Sequence, residues 1–443
     1  KKIITLLLLI AIMTIPLTAS DGFDFIFDEE VVTQEEAPSS FDISGKISTG
    51  LDSFINRNNL LDSEMSPFAD LQFTLNYSHP SLVGNAELNL GALTESSITY
   101  KDIIRELSLS YFIPNGKIQA GYFIHRWGVV DTLRVVDILN ANDFRSGLSM
   151  NQREMKISEP MILTQLYFNR SQIELIYKPI FTPIQMATSG RWNTTPSNLQ
   201  VLMGNPKTTY TIPNTRTLDF GSVGARYKMP LGPVDMAFMY YRGYAEKPAI
   251  SVTYTPPGVP DANTIFNLET TYTMMNMIGT EINYVKGPFT FAAEGAFFIS
   301  EDSDETNAAL YNSKISYIGS VSYMIPSTTS YITASYSGTS ILGYDENNFA
   351  DVDTASGPQQ DHNIIIGAHI PLMKEKLIIE AGLTYQIPTK GFALLSKIDY
   401  TLKDDITLTL EAHLFGTLDS NEDSIYKTWA NNDSLTFSLS YQY

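Results

Sequence analysis

The chain has 443 residues, no cysteine, 17% charged residues and a formal net charge of −19. Without cysteine it can form neither disulfides nor a thiol-linked lipid anchor. The net negative charge argues against nucleic acid as a partner, because phosphates attract clustered Lys and Arg.

Residues 1–20 have the pattern of a secretory signal peptide. Two lysines precede an apolar run from Ile3 to Ile15, and small residues follow it. The run is shorter than the roughly 20 apolar residues of a membrane-spanning helix. We predict cleavage near Ser20, followed at 21–39 by an acidic periplasmic tail with seven acids and no base.

From about Phe41 to its end, the chain repeats alternating segments of roughly ten residues. In "ITLTLEAHLF" at 406–415, for example, Ile, Leu and Ala alternate with Thr, Glu and His. Apolar residues at every second position predict β-strands, because an amphipathic helix would space them by three and four. Tilted strands of about 9–11 residues are long enough to cross a bilayer.

Two kinds of connection separate these segments. Eight are short and carry turn-forming residues such as Gly, Pro, Asn or Asp, at 79–84, 114–117, 169–172, 231–234, 286–288, 326–329, 372–376 and 402–405. Nine longer polar connections alternate with them, the longest near 128–160, 180–215, 246–266 and 342–360. Nine long and eight short connections predict 18 strands, and a barrel of 16 strands is the alternative.

The predicted fold is all-β, a transmembrane antiparallel β-barrel of about 18 strands at 40–443 with periplasmic N- and C-termini. An even strand number returns both ends to the side of the short turns. The alternatives are a soluble β-sandwich and an extracellular β-solenoid. The unbroken strand pattern argues against the first, and the absence of a fixed-period repeat argues against the second. A barrel of this size leaves a lumen that side chains do not fill.

The last segment, "SLTFSLSYQY" at 434–443, alternates up to its final tyrosine. We expect it to pair with the strand near 41–52, because an unpaired strand edge is not tolerated in hydrocarbon. Tyr443 then lies at the periplasmic boundary. A terminal aromatic of this kind resembles the signal that the barrel assembly machinery recognises, so we predict that machinery as a partner.

Residues 118–145, "IQAGYFIHRWGVVDTLRVVDILNANDFR", differ from the other segments. They resemble a family of outer-membrane porins akin to the alginate-export type, in which a strand ends in W-G and is followed by an acidic residue and D-x-x-N-P-x-D. Ala141 stands where that pattern has proline. The resemblance implies a porin-like channel without identifying its solute, and the matching positions are Gly121, Trp127, Gly128, Asp131, Asp137, Asn140 and Asp143.

The long connection that follows this strand is the predicted constriction loop. If it folds inward, its arginines would face acids on the opposite wall, and the resulting transverse field would filter solutes by charge. Alternatively, its charges pair with one another in a solvated loop. The candidate residues are Arg126, Asp131, Arg134, Asp137, Asn140, Asp143, Arg145 and Arg153.

The polar face of each strand predicts the side chains that line the channel. Acids outnumber bases among them, so cations should enter more readily than anions unless the loop arginines dominate. The candidates are Asp70, Glu87, Glu106, Glu174, Lys178, Arg226, Asp235, Glu281, Glu294, His369, Glu380, Lys397, Asp399, Glu411 and His413.

The sequence offers little for catalysis. It has five histidines and no G-x-S-x-G nucleophile motif. Glu411 and His413 point to the same face of one segment, but no third metal ligand is visible near them. We therefore predict neither an enzyme nor a metal or cofactor site.

These features predict an outer-membrane porin of a diderm bacterium, a passive diffusion channel for small hydrophilic solutes with a mild preference for cations. Its expected partners are outer-membrane lipid, the assembly machinery and the solutes, and a homo-oligomer is left open. The alternatives are a substrate-specific transporter for a hydrophobic or saccharide substrate, and a surface adhesin.

Overall fold

The structure is a computed structural model, and it describes residues 39–57, 63–91, 100–195, 197–255, 264–307, 309–344, 360–419 and 424–443. The predicted signal peptide at 1–20 and nearly all of the acidic tail at 21–39 lie outside the described residues. No helix in the described ranges is long and apolar enough to cross a membrane.

Eighteen strands form one closed antiparallel sheet, as the alternating pattern predicts. The first nine are β1 (Ser40–Phe54), β2 (Glu64–His79), β3 (Leu82–Asn89), β4 (Ile104–Ile113), β5 (Gly116–Phe123), β6 (Glu159–Phe168), β7 (Ser171–Lys178), β9 (Ser222–Leu231) and β10 (Val234–Tyr244). The other nine are β13 (Met274–Lys286), β14 (Phe289–Ser300), β15 (Lys314–Met324), β16 (Tyr331–Ile341), β17 (Gln360–Leu372), β18 (Leu377–Gln386), β19 (Gly391–Lys403), β20 (Ile406–Thr417) and β21 (Ser434–Gln442). The prediction of an 18-stranded barrel is confirmed.

The first and last strands close the barrel. They are antiparallel, with Lys46 opposite Gln442 and Phe54 opposite Ser434. Beyond the end of β21, the Tyr443 N–H donates to the Gly45 carbonyl and the Gly45 N–H donates to the Tyr443 carbonyl, both at 3.0 Å. Each backbone edge of the sheet is therefore paired, as hydrocarbon requires.

The two ends of the barrel differ in the length of their connections. Short turns join β2 to β3, β4 to β5 and the corresponding later pairs, whereas the connections at the opposite end are longer with one exception. The prediction of nine longer connections is wrong for the link between β18 and β19, which has only the four residues 387–390. Two long connections contain a small three-stranded sheet of β8 (Thr208–Thr211), β11 (Ala249–Thr255) and β12 (Ile265–Thr271). This sheet is not predicted from the sequence, in which these connections are identified only as long and polar.

Helical structure in the described residues is confined to connections. It consists of α1 (Tyr100–Ile103), α2 (Ser197–Gly204), α3 (Ile425–Thr428) and a 3-10 turn at Leu218–Phe220.

The outer surface of the barrel is apolar. Large side chains that point outward are exposed on nearly every strand, for example Ile47, Leu109, Leu175, Phe291 and Leu410. A soluble protein would not leave so continuous an apolar surface uncovered. A band of this kind is what lipid contacts in transmembrane barrels.

Candidate functional site: the loop inside the barrel

The connection between β5 and β6, residues 124–158, lies inside the barrel, and we call it the inner loop. Its Trp127, Val136 and Leu139 have no exposed surface. They pack against inward-facing apolar side chains of the wall, and together these residues form a hydrophobic core between loop and wall; the wall members include Met161, Leu163, Ile176, Met239, Met277 and Phe298. Burial of this apolar area stabilises the inward position of the loop.

One carboxylate, that of Glu294 on β14, binds the loop backbone at four points. Its Oε1 accepts from the N–H groups of Val129 and Val130, both at 2.8 Å. Its Oε2 accepts from Val135 at 2.9 Å and from Val136 at 3.4 Å. Hydrogen bonds to an ionised acceptor are stronger than neutral ones, so Glu294 is the principal polar anchor of this segment.

A buried ionic network extends this anchorage. Arg226 on β9 pairs with Glu281 and lies 3.6 Å from Glu174. Glu281 Oε2 accepts from the Gly128 N–H at 3.1 Å, and Glu174 Oε2 accepts from the Trp127 indole N–H at 3.1 Å. Each wall charge is thus satisfied by another charge or by the loop, which is what burial of ionised groups requires.

Five of the predicted channel-lining residues therefore face inward but lie beneath the loop. Glu174, Lys178, Arg226, Glu281 and Glu294 are only 2–3% exposed. Their contacts hold the loop against the wall, and they do not line the open part of the lumen. Strand alternation indicates which face they occupy, but it carries no information about what covers that face.

The loop base is closed by Asn140 and Ala141. Asn140 Nδ2 donates to the carbonyls of Phe123 and Ile157, and its Oδ1 accepts from the His125 N–H. The Ala141 N–H donates to Glu159 Oε1 at 2.8 Å. A proline at position 141 has no N–H and would leave Glu159 without this bond, which gives a physical reason for alanine here.

Two glycines of this segment hold backbone conformations that other residues rarely adopt. Gly121 has φ +140° and Gly128 has φ +101°. A Cβ on Gly128 would lie 2.6 Å from Glu294 Oε1 and 2.8 Å from Arg134 Cδ. Glycine at 128 therefore lets the backbone approach its carboxylate anchor closely.

The inner loop also reaches the far side of the barrel. Thr132 Oγ1 lies 2.8 Å from Ser335 Oγ of β16.

The loop also contacts a second buried cluster, formed by Ala393, Leu395, Phe415 and Trp429. Leu148 and Met150 of the loop pack against this cluster, as does Trp192. In this cluster the ring of Trp192 is nearly perpendicular to the rings of Phe415 and Trp429, with centroids 5.7 and 5.3 Å apart. Burial beside it raises the pKa of Tyr426 to about 12. The loop thus divides the lumen by contacting both walls.

A polar cavity of about 430 Å³ remains between the loop and the far wall, and we call it the main cavity. The loop contributes Arg126, Asp131, Arg134 and Glu154, and the wall contributes Glu380, Lys397 and Glu411. On the wall, His369 Nδ1 lies 3.0 Å from Glu380 Oε1, and Lys397 Nζ lies 2.9 Å from Asp399 Oδ2. Charges of both signs therefore line opposite sides of this space.

The four loop arginines have different surroundings. Arg126 and Arg134 line the main cavity opposite Glu380 and Glu411. Arg145 pairs instead with Asp102 at 2.5 Å and Asp143 at 2.6 Å, and Arg153 pairs with the wall acids Glu87 and Glu106 at 2.8 and 3.4 Å. The structure thus brings two arginines to the cavity and uses two to fasten the loop.

The remaining predicted residues are scattered. Asp70 accepts from Gln72 Nε2 at 3.0 Å, and Asp235 is exposed near the short-turn end of β10. His413 is half-buried and lies opposite Ser434 in the sheet. Asp137 pairs with Arg126 at 3.2 Å and lies 3.7 Å from Lys156 Nζ.

Two important residues were missed by the sequence analysis. Glu159 is fully buried and lies 3.0 Å from Lys178 Nζ, while Gln152 binds Arg126 and the carbonyls of Asp131 and Thr132. Glu159 lies on the same inward face of β6 as Met161 and Leu163. A single acid on an otherwise apolar face is a signal in the sequence that could have identified it. Nothing in the local pattern marks Gln152.

Among the described residues, no group of three or more His, Asp or Glu side chains could hold a metal ion. No family model and no curated protein matches the chain. The chain is distantly similar to an anion-selective porin from Comamonas acidovorans, with 10% sequence identity, a TM-score of 0.42 and coverage of 92% of this chain and 100% of that one. It is also similar to the outer membrane channel DcaP of Acinetobacter baumannii, with 11% identity, a TM-score of 0.42 and coverage of 91% of this chain and 97% of that one. A third likeness is to a triple mutant of the porin of Rhodopseudomonas blastica, with 9% identity, a TM-score of 0.36 and coverage of 91% of this chain and 100% of that one. The likenesses are too remote to add to what the strands themselves show.

Proposed function

We propose that the protein is a channel of the outer membrane of a diderm bacterium, through which small hydrophilic solutes diffuse passively. The observation that carries this proposal is a closed 18-stranded barrel with an apolar outer surface, whose lumen contains a fixed loop beside a polar cavity. Barrels of 16–18 strands leave an aqueous lumen, and an inward loop narrows such a lumen without filling it.

The proposed orientation places the short turns and both ends of the barrel in the periplasm and the long connections outside. The signal peptide at 1–20 would direct export, and the acidic segment at 21–39 would remain as a periplasmic tail. The assembly machinery would recognise the last strand. Oligomerisation is left open.

We further propose a mild preference for cations. Four carboxylates and three cations line the main cavity. The chain as a whole carries a formal charge of −19, so its summed field also favours entry of cations. Arg126 and Arg134 on the loop oppose this field locally and keep the preference small.

The proposal is tested by inserting the purified protein into planar bilayers and recording single-channel currents in KCl. We expect discrete conductance steps, and swelling of protein-loaded liposomes in small sugars that decreases as the sugar becomes larger. A protein that inserts but gives neither conductance nor swelling is not a diffusion channel. Such a result would favour the surface adhesin, which loop-deletion variants in a cell-binding assay would then test.

A further inference from the structure

A second cavity of about 300 Å³ lies between the inner loop and β10, β13, β14 and β15, and we call it the side cavity. Much of its surface is apolar, with Leu133, Val135 and Ile138 from the loop and Met275, Met277 and Phe298 from the wall. Charged side chains also line it, namely Asp137, Glu246, Lys247 and Lys314 beside Arg134. Lys314 Nζ lies 5.1 Å from the centroid of the Phe298 ring. A concave site that combines an apolar surface with polar groups is the usual form of a small-molecule site. Strand alternation predicts a polar lumen throughout and therefore gives no sign of this cavity.

Arg134 lies at the boundary of the side cavity and the main cavity, since it lines both. Its aliphatic stem packs beside Gly128, where only a glycine leaves room. A solute in the main cavity can therefore reach the Arg134 guanidinium, which also adjoins the apolar surface of the side cavity.

Arg134 differs from the other three loop arginines because it has no ion pair among the described residues. Arg126, Arg145 and Arg153 each pair with at least one carboxylate. The Arg134 Nε is buried and has no hydrogen-bond partner. Burial and the nearby charge of Arg126 lower the pKa of the Arg134 guanidinium, although an arginine remains protonated under ordinary conditions. A half-buried cation without a partner is costly, and an anionic ligand would offset that cost.

The acids beside the side cavity are occupied elsewhere. Asp137 pairs with Arg126, and Glu246 accepts from Asn142 Nδ2 at 2.9 and 3.0 Å. Glu294, which also lies near Arg134, accepts four backbone N–H groups. Asp137 and Glu294 attract the Arg134 charge without forming an ion pair with it. A ligand carboxylate can therefore make the direct contact that these acids do not make.

We infer that Arg134 and the side cavity form a binding site for small organic anions with an apolar body, such as aromatic monocarboxylates. The carboxylate of the solute binds the Arg134 guanidinium, and its apolar part enters the side cavity. This inference rests on the proposed channel function and adds a class of solute that the channel binds during passage. The negative field of the whole protein acts on every charged solute, whereas this local cationic site acts on those that carry both an anionic group and an apolar body.

The test records single-channel currents in KCl with phenylacetate, acetate or 2-phenylethanol added. Phenylacetate carries both the charge and the ring, acetate only the charge, and 2-phenylethanol only the ring. We expect phenylacetate alone to produce concentration-dependent current blockades. Equal effects of phenylacetate and acetate would overturn the inference, because the apolar cavity would then contribute nothing.

Variants locate the site. Arg134→Gln removes the charge and should weaken the phenylacetate blockade by about tenfold, as expected for loss of one charged hydrogen bond. Leu133→Asn should weaken it through the apolar side, since Leu133 is 42% exposed and its replacement does not disturb the buried core. Arg191→Gln is the matched control, because Arg191 pairs with Glu64 at the rim of the barrel, away from both cavities.

The outcomes separate the two proposals. A wild-type protein without conductance contradicts the channel itself. A conducting protein that phenylacetate does not block contradicts only the binding site. Blockade that Arg134→Gln and Arg191→Gln weaken equally would mean a general effect of charge, and it would also overturn the assignment to Arg134.

Discussion

At the scale of single residues, Glu294 illustrates how a buried carboxylate can serve a membrane barrel. Glu294 is 3% exposed, yet its two oxygens accept four loop N–H groups. Loop backbone inside a barrel must find partners for its polar groups, because unpaired buried amides are costly. A wall side chain here does what a neighbouring strand does in a sheet.

Replacing this anchor should release the inner loop. In Glu294→Ala the four N–H groups lose their acceptor, at a cost of about 1–3 kcal/mol for each one that stays buried and unpaired. We expect a larger single-channel conductance with more current noise, measured in planar bilayers. Glu294→Gln is the control, because its amide oxygen can still accept from the N–H groups of Val129 and Val130. Its conductance should lie between that of the wild type and that of Glu294→Ala. Unchanged conductance in Glu294→Ala would mean that the apolar core alone holds the loop.

Sequence alternation predicts the facing of single residues well and their environment poorly. Glu174 and Glu411 occupy the same kind of inward register, yet Glu174 is buried under the loop and Glu411 lines the main cavity. The difference arises from the path of the inner loop, which depends on contacts with strands far away in sequence. Such contacts leave no periodic signal in either segment.

At the scale of elements, turn chemistry and period-two alternation suffice for the 18 strands of the barrel. They locate all eight short turns and the pairing of β21 with β1. They fail for β8, β11 and β12, which are short and lie inside long connections. They also fail for the inward faces of β6, β10, β13 and β14, where apolar residues occupy both faces because the loop covers one of them.

The inward position of the loop can be tested by a crosslink, because the chain has no native cysteine. Thr132 Oγ1 and Ser335 Oγ are 2.8 Å apart, so cysteines at both positions should lie within reach of a disulfide. We expect the double variant Thr132→Cys/Ser335→Cys to form an intramolecular bond on oxidation, detected as a mobility change on non-reducing gels, with conductance nearly unchanged. The pair Thr132→Cys/Ser322→Cys is the control, since Ser322 lies farther along the wall on β15, opposite Thr333. Equal crosslinking of both pairs would mean that the loop is not held in one position.

The closing strand gives a second test at this scale. The ring of Tyr443 covers Gly45, where an added Cβ would lie 2.4 Å from the Tyr443 hydroxyl, and it stacks near Tyr441. Tyr443→Ser should lower the fraction of protein that assembles into the heat-modifiable, SDS-resistant barrel and leave the conductance of assembled channels unchanged. Tyr400→Ser, at another outward tyrosine of the same kind, is the control. An equal loss of assembly in both variants would argue against a special role of the last residue.

At the scale of the whole molecule, the proposed channel function makes charge distribution and loop position together responsible for what can pass. The loop fastens itself with Arg145 and Arg153 and presents Arg126 and Arg134 to the main cavity. The loop also contributes Asp131 and Glu154, and the opposite wall contributes Glu380, Glu411 and Lys397. Arg126 and Arg134 thus lie across a narrow polar space from Glu380 and Glu411, among charges of both signs. In the proposed channel, these facing groups would set a local transverse field that orients dipolar solutes and modifies the preference set by the net charge.

This arrangement predicts how ion selectivity responds to neutralisation of the far wall. The double variant Glu380→Gln/Glu411→Gln removes two negative charges from the main cavity and leaves Arg126, Arg134 and Lys397 in place. The reversal potential in a KCl gradient should therefore move from the cation side toward zero or to the anion side. The shift should be larger at low salt, because the screening length is then longer and each charge acts over a greater distance. Glu269→Gln, which changes an exposed acid of the small three-stranded sheet, should leave the reversal potential unchanged. If both sets of variants shift it equally, the selectivity arises from the overall charge of the protein, and the main cavity is not where ions are discriminated.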